Sequence, residues 1–260
     1  MNRRLPAIYE PEPPRDPRPR EPSYAGLSQD ARRSLVLGAV LGWTAYLIPF
    51  TRFIFSYLGT LVHELGHAAA GIALGSPSLP AFDFRYGGGV TRIGERSPLV
   101  FACCLLALLW LAARWWSAPR LRPAAVALVI GYGLVAFTPL REMVILAAGH
   151  AFELLFAGIF LYRALSGSAI IRPVERPLYA ACAVFLLTSD LRFSWDLMTD
   201  QDARAAYEMS KGGSLLGDLT RLSSEFLDAS LSSTASLLFF GALATPWITY
   251  GLFRKNSGPV

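Results

Sequence analysis

The run Gly59-Thr60-Leu61-Val62-His63-Glu64-Leu65-Gly66-His67-Ala68-Ala69-Ala70-Gly71 sits inside an apolar segment from Phe53 to Leu74 whose only charged or imidazole side chains are His63, Glu64 and His67. A segment of that length matches the roughly 20 residues a helix needs to cross about 30 Å of hydrocarbon, and helix is how one segment satisfies its own backbone there. Residues four apart share a helical face, so His63 and His67 stand one above the other with Glu64 beside them. Two histidines merely packed inside a bundle is the bland reading. It is the weaker one, because ionisable groups in a membrane span are costly and usually mark function, and the chain has only three histidines.

Outward from this stretch the same character continues. Of the 260 residues, 53% are hydrophobic and the mean hydropathy is +0.39, more than a soluble domain of this size needs for its core. Apolar helices are expected at about 35–50, 53–74, 99–116, 123–137, 143–165, 178–193 and 235–253. The fold class is therefore an all-α membrane protein, a polytopic bundle of about six to eight transmembrane helices. The uncertainty in number comes from Pro49, which can join the first two runs into one kinked unit, and from the shortness of the 123–137 run.

The organisation around that bundle is simple. Residues 1–33 alternate proline with charge and form a tail expected to be disordered; the membrane domain covers 34–254, and 255–260 are a short C-terminal tail. The polar approach to the first helix does not resemble a cleaved signal peptide, so that helix is expected to be retained. Within the domain, 195–233 is a polar, partly helical loop. Its Leu215, Leu216, Leu219 and Leu222 suit either a helix at the membrane interface or a helical hairpin covering the bundle.

Of the 24 basic residues only two are lysine, Lys211 and Lys255, and arginines flank the apolar runs. That pattern suits membrane topology and neither nucleic acid nor nucleotide. If the tail, the 76–98 loop, Arg141 and 192–234 share one side, that side holds the larger share of the basic residues. The N terminus is then cytoplasmic, in a bacterial-type inner (plasma) membrane, and an odd helix count leaves the C terminus outside. Cys103, Cys104 and Cys182 lie in apolar runs and offer no disulfide framework.

His-Glu-x-x-His on a helix supplies two Zn²⁺ ligands and a general base, here His63, His67 and Glu64. The stretch His63–Ala70, with Gly75 and the downstream Gly87-Gly88-Gly89-Val90, resembles the site-2 protease family of intramembrane zinc metalloproteases over about 30 residues. The resemblance implies a zinc-dependent endopeptidase acting on membrane protein or peptide substrates in the bilayer. The family's Leu-Asp-Gly stretch, which supplies an aspartate ligand, is missing, and asparagine occurs only at Asn2 and Asn256.

A catalytic zinc needs a third protein ligand. His150 is the first choice, since it lies at a depth in its helix comparable to that of His63. Glu153, one turn on, and Asp190 in the following span are the alternatives, Glu153 also serving to orient an imidazole. In the loop after the motif, aromatics at every second position, Phe82, Phe84 and Tyr86, suggest a strand, and Gly87, Gly88 and Gly89 a tight turn into a second one. This short β-hairpin is expected to bind substrate through Phe84, Tyr86 and the three glycines by strand addition. Two other functions use the same residues: a non-proteolytic membrane metal-binding or transport protein, and a regulator that keeps the zinc site without catalysis.

Overall fold

The computed structural model describes residues 27–83, 88–209 and 216–256. Its elements are α1 (Gln29–Leu47), α2 (Pro49–Ala73), β1 (Ser78–Phe82), β2 (Gly89–Ile93), α3 (Pro98–Trp116), α4 (Arg122–Phe137), α5 (Leu140–Ser166), α6 (Glu175–Thr199), α7 (Gln201–Glu208), α8 (Asp218–Arg221) and α9 (Leu231–Asn256). Among the described residues the protein is all-α apart from one two-stranded antiparallel hairpin, β1–β2. Ser28 caps α1 by accepting from the Ala31 amide, so 29–33 are helical and the expected tail ends sooner; residues 1–26, and 257–260 at the other terminus, lie outside the described residues.

Helices α3, α5 and α9 are each long and apolar enough to cross a membrane. α1 and α2 meet that standard only as a pair, bent by 105° at a short break, where Pro49 opens α2 without needing a backbone partner. α4 is short, 16 residues, or about 24 Å at roughly 1.5 Å per residue. α6 carries Asp190, Arg192 and Asp196 in its second half. Large apolar side chains such as Leu106, Trp110, Phe240 and Trp247 point outward and are more than half exposed, the surface a lipid-facing belt requires.

Small residues set the packing. A Cβ on Gly38 would fall 2.2 Å from the Ala180 Cβ, and one on Gly66 2.2 Å from the Ala148 carbonyl oxygen. These contacts lay α1 along the first half of α6 and α2 along α5, the close approach that glycine and alanine permit in membrane bundles.

The start of α1, the α5–α6 connection and the end of α9 share one end of the bundle. Asp30 and Arg33 line a cleft with Gly167 and Arg176, Arg176 donates to the carbonyls of Ala164 and Leu165, and Asn256 donates to Tyr162 Oη. At the opposite end Leu74, Ala136 and Ile145 cluster, and Arg141 donates to Ser76 Oγ. The beginning of α1 and the 76–98 loop with Arg141, expected on one side, stand at opposite ends of the bundle, because the bend between α1 and α2 carries the chain from one end to the other. It also brings the beginning of α1 and the end of α9 to the same end.

The 195–233 region follows the covering alternative. Leu219 and Leu222 are buried with Leu146, Leu197, Leu231 and Leu238, so the chain through α8 and the π-helical turn at Leu222–Leu227 is bound to α5, α6 and α9. Leu216 remains half exposed, and Leu215 lies outside the described residues.

Candidate metal centre

Two faces of α2 do different work. His63 and His67 face α5 and α8. Tyr57, Glu64 and Gly71, seven residues apart and so nearly in line, face the hairpin. Phe82 packs on Tyr57 with ring centroids 5.5 Å apart, Gly89 lies on the Glu64 side chain, and Gly71 leaves space for Ser78 Oγ. Strand β1 thus runs antiparallel to the motif helix, paired with β2 from Ser78↔Ile93 to Phe82↔Gly89.

The two imidazoles are held from behind. His67 Nδ1 lies 2.7 Å from the Ile145 carbonyl oxygen, which can only accept, so Nδ1 carries the hydrogen and Nε2 presents its lone pair. His63 Nδ1 lies 3.2 Å from Glu153 Oε2, which orients that ring in the same sense. Both Nε2 atoms then point forward, 3.0 Å apart.

The third group at that point is Asp218. Its Oδ2 lies 3.1 Å from His63 Nε2 and 3.0 Å from His67 Nε2. Burial alone would raise the Asp218 carboxyl; when the rings are protonated, hydrogen bonds from His63 and His67, with their charge, outweigh burial and hold it well below the usual carboxylate range, whereas with the rings neutral neither Nε2 has a proton to donate. Two neutral imidazoles and a carboxylate would put three lone pairs in one place, and a cation there relieves their repulsion. A tetrahedral zinc with bonds of about 2.0–2.1 Å sets its ligand atoms about 3.3 Å apart, close to what is seen. Space is kept as well: a Cβ on Gly149 would lie 2.5 Å from His63 Nε2 and 2.6 Å from His67 Nε2. The donor set fits a divalent metal.

The sequence reading did not single out Asp218, which the structure groups with His63 and His67, while it groups His150 with His63 and Glu153. The depth argument does bring His150 to His63, ring centroids 4.6 Å apart, but its Nδ1 bonds Glu153 Oε2 at 2.8 Å and its ring stacks on Phe193. His63, His150 and Glu153 form a second group able to approach one ion, on the far side of the His63 ring from Asp218. Asp190 is 4% exposed and neighbours Glu153 and His63 from α6, but it belongs to neither group of side chains able to approach one ion among the described residues.

Asp218 is delivered by α7 and α8. The Leu219 amide donates to Tyr207 Oη, and Gly217 passes so close that a Cβ would stand 2.4 Å from the phenol oxygen. Tyr207 packs edge-on against Phe193, the ring beneath His150. Burial pushes the Tyr207 phenol up, so it keeps its proton at neutral pH.

His63, Glu64, His150, Glu153, Tyr207 and Asp218 line one pocket of about 340 Å³, with Gly89 at its edge. Of the residues expected to bind substrate, Gly88 and Gly89 are placed, Gly88 with φ +85°; Phe84, Tyr86 and Gly87 lie outside the described residues. No family model matches the chain, and no curated protein or solved structure is significantly similar to it.

Proposed function

We propose that the protein is a zinc-dependent endopeptidase working within the membrane on membrane-embedded or membrane-associated polypeptides. The observation that carries this reading is the meeting of His63 Nε2, His67 Nε2 and Asp218 Oδ2 within 3.1 Å, on the helix that also carries Glu64. His63, His67 and Asp218 would hold the metal, replacing the set with His150. When bound, zinc supplies a Lewis acid and a water whose pKa falls towards about 7.

The chain's own residues account for the rest. Glu64, beside the ligand pair, takes the proton of the attacking water and passes it to the leaving amine. Glu153 and the Ile145 carbonyl fix the ring tautomers, so neither imidazole turns away. A substrate helix must unwind before its peptide bond can be attacked, and the hairpin beside Glu64 offers a strand edge for the unwound segment.

In this reading the α1–α2 pair, α3, α4, α5, α6 and α9 make six crossings of a plasma membrane. Arg120, Arg122, Arg172, Arg176, Arg254 and Lys255 gather at the end where α1 begins, which the positive-inside rule places in the cytoplasm. The hairpin and α8 then lie towards the other face.

The test uses full-length protein in detergent, with zinc measured by elemental analysis and cleavage followed on a quenched-fluorescent unstructured peptide chosen from a library. Glu64→Gln should keep its zinc and lose about 10²–10⁴ in rate. Full activity in Glu64→Gln overturns the proposal. Zinc bound without any cleavage by the wild type would favour a metal-binding or regulatory role.

A further inference from the structure

The hairpin touches the proposed base directly. Thr91 Oγ1 lies 2.6 Å from Glu64 Oε2 and 3.0 Å from the Glu64 backbone carbonyl oxygen, and Glu64 is 7% exposed. Thr91 and Gly89 stand two apart on β2 and so share a face. Gly89 brings its backbone against the carboxylate stem, where a Cβ would lie 2.4 Å from Glu64 Cγ and 2.5 Å from Oε1. Pro80↔Thr91 and Phe82↔Gly89 pairing fixes the register of that face, while Ser78 and Phe82 anchor β1 along α2 at Gly71 and Tyr57.

We infer that Thr91 is a positioning residue for the hydrolytic reaction, holding one oxygen of Glu64 so that the other is aimed at the water. The inference rests on the endopeptidase reading. A glutamate side chain has three rotatable bonds, and freezing them is unfavourable unless partners hold the result. Thr91 gives Oε2 a hydrogen bond to a charged acceptor, stronger than a neutral one, and Gly89 walls off the stem. Because Thr91 belongs to the strand pair proposed to receive substrate, the hairpin's seating on α2 and the aim of the base are one mechanical unit.

Thr91→Val keeps the shape of the side chain and removes the hydroxyl. It should lower kcat by about ten- to a hundredfold, the worth of a hydrogen bond to a charged group, with KM changed less than about twofold and zinc content unchanged. Thr91→Ser, which retains the hydroxyl, should recover most of the rate. Thr91→Val added to Glu64→Gln should cost nothing further, since the group it positions has lost its function. Thr91→Ala gives the same comparison should valine disturb the fold. Wild-type kcat in Thr91→Val beside an inert Glu64→Gln overturns this inference alone, as does serine as impaired as valine, or zinc lost from every Thr91 variant. Activity retained in Glu64→Gln overturns the endopeptidase reading and this inference with it.

Discussion

Asp218 Oδ2 lies 3.0 Å from His67 Nε2 across 151 residues of chain, and the same oxygen reaches His63 Nε2. One carboxylate oxygen therefore touches both imidazole nitrogens that point away from their own supports. Asp218→Ala should abolish stoichiometric zinc binding, and Asp218→Asn should weaken it severely, since a neutral amide oxygen is a poorer zinc donor. His150→Ala should retain zinc with affinity lowered no more than about 10- to 100-fold, the range for a group acting through a ligand. Elemental analysis after dialysis decides between them: zinc lost from His150→Ala and kept by Asp218→Ala would restore His150 to the ligand set.

The contrast between those residues shows what was legible beforehand. Helix positions followed from apolar runs, and the pairing of His63 with His67 from their spacing of four, because both signals are local. His150 stood out because an imidazole in an apolar span is conspicuous. Asp218 did not, lying in a polar segment where carboxylates are ordinary and where the nearby leucines spoke only of packing. Which end of the bundle each loop occupies was not legible for a similar reason: the path through α1 and α2 depends on a bend angle, which tertiary packing decides.

Gly149 should prove indispensable for metal binding although it carries no donor. A methyl group there would stand 2.5 Å from His63 Nε2 and 2.6 Å from His67 Nε2, in the space where the two lone pairs meet. Gly149→Ala should lose zinc and, through overpacking, about 1–3 kcal/mol of stability. Gly131→Ala on α4, where an added Cβ meets nothing within 4 Å, is the control and should keep both zinc and stability. Normal zinc content in Gly149→Ala would mean that the metal lies elsewhere.

Tyr207 should tune metal affinity from outside the ligand set. Its oxygen accepts from the Leu219 amide at 3.2 Å, one residue beyond Asp218, and its ring underlies Gly217. Tyr207→Phe keeps the ring and strands that amide, at a cost of about 1–3 kcal/mol. Displacing the segment is the easiest relief, so zinc affinity should fall by about tenfold or more while the melting temperature of the metal-free protein changes little. Competition with a fluorescent zinc chelator measures the affinity, and an unchanged value would show that Leu219 and Leu222 hold α8 in place unaided.

Gly88 and Gly89 are adjacent, yet substitutions at the two should fail in different ways. Gly88 has φ +85° with open space around it, so a side chain there meets no neighbour but must adopt a left-handed backbone, costing about 1–2 kcal/mol for an ordinary residue and more for a β-branched one. Gly88→Val should therefore distort the turn that closes the hairpin between Asp83 and Gly88, whose backbones bond at 3.0 Å, and loosen peptide binding, raising KM and leaving zinc intact. Gly89 has no such backbone demand but lies on Glu64, where a Cβ would come within 2.4 Å of Cγ. Gly89→Ala should lift β2 away from the helix or turn the carboxylate aside, lowering kcat with little change in KM. Steady-state kinetics on the same quenched peptide separate the two outcomes, because a change confined to kcat reports on the aim of the base and a change confined to KM on the seat of the substrate. Equal effects on both parameters in both variants would mean that the hairpin acts only as scaffold.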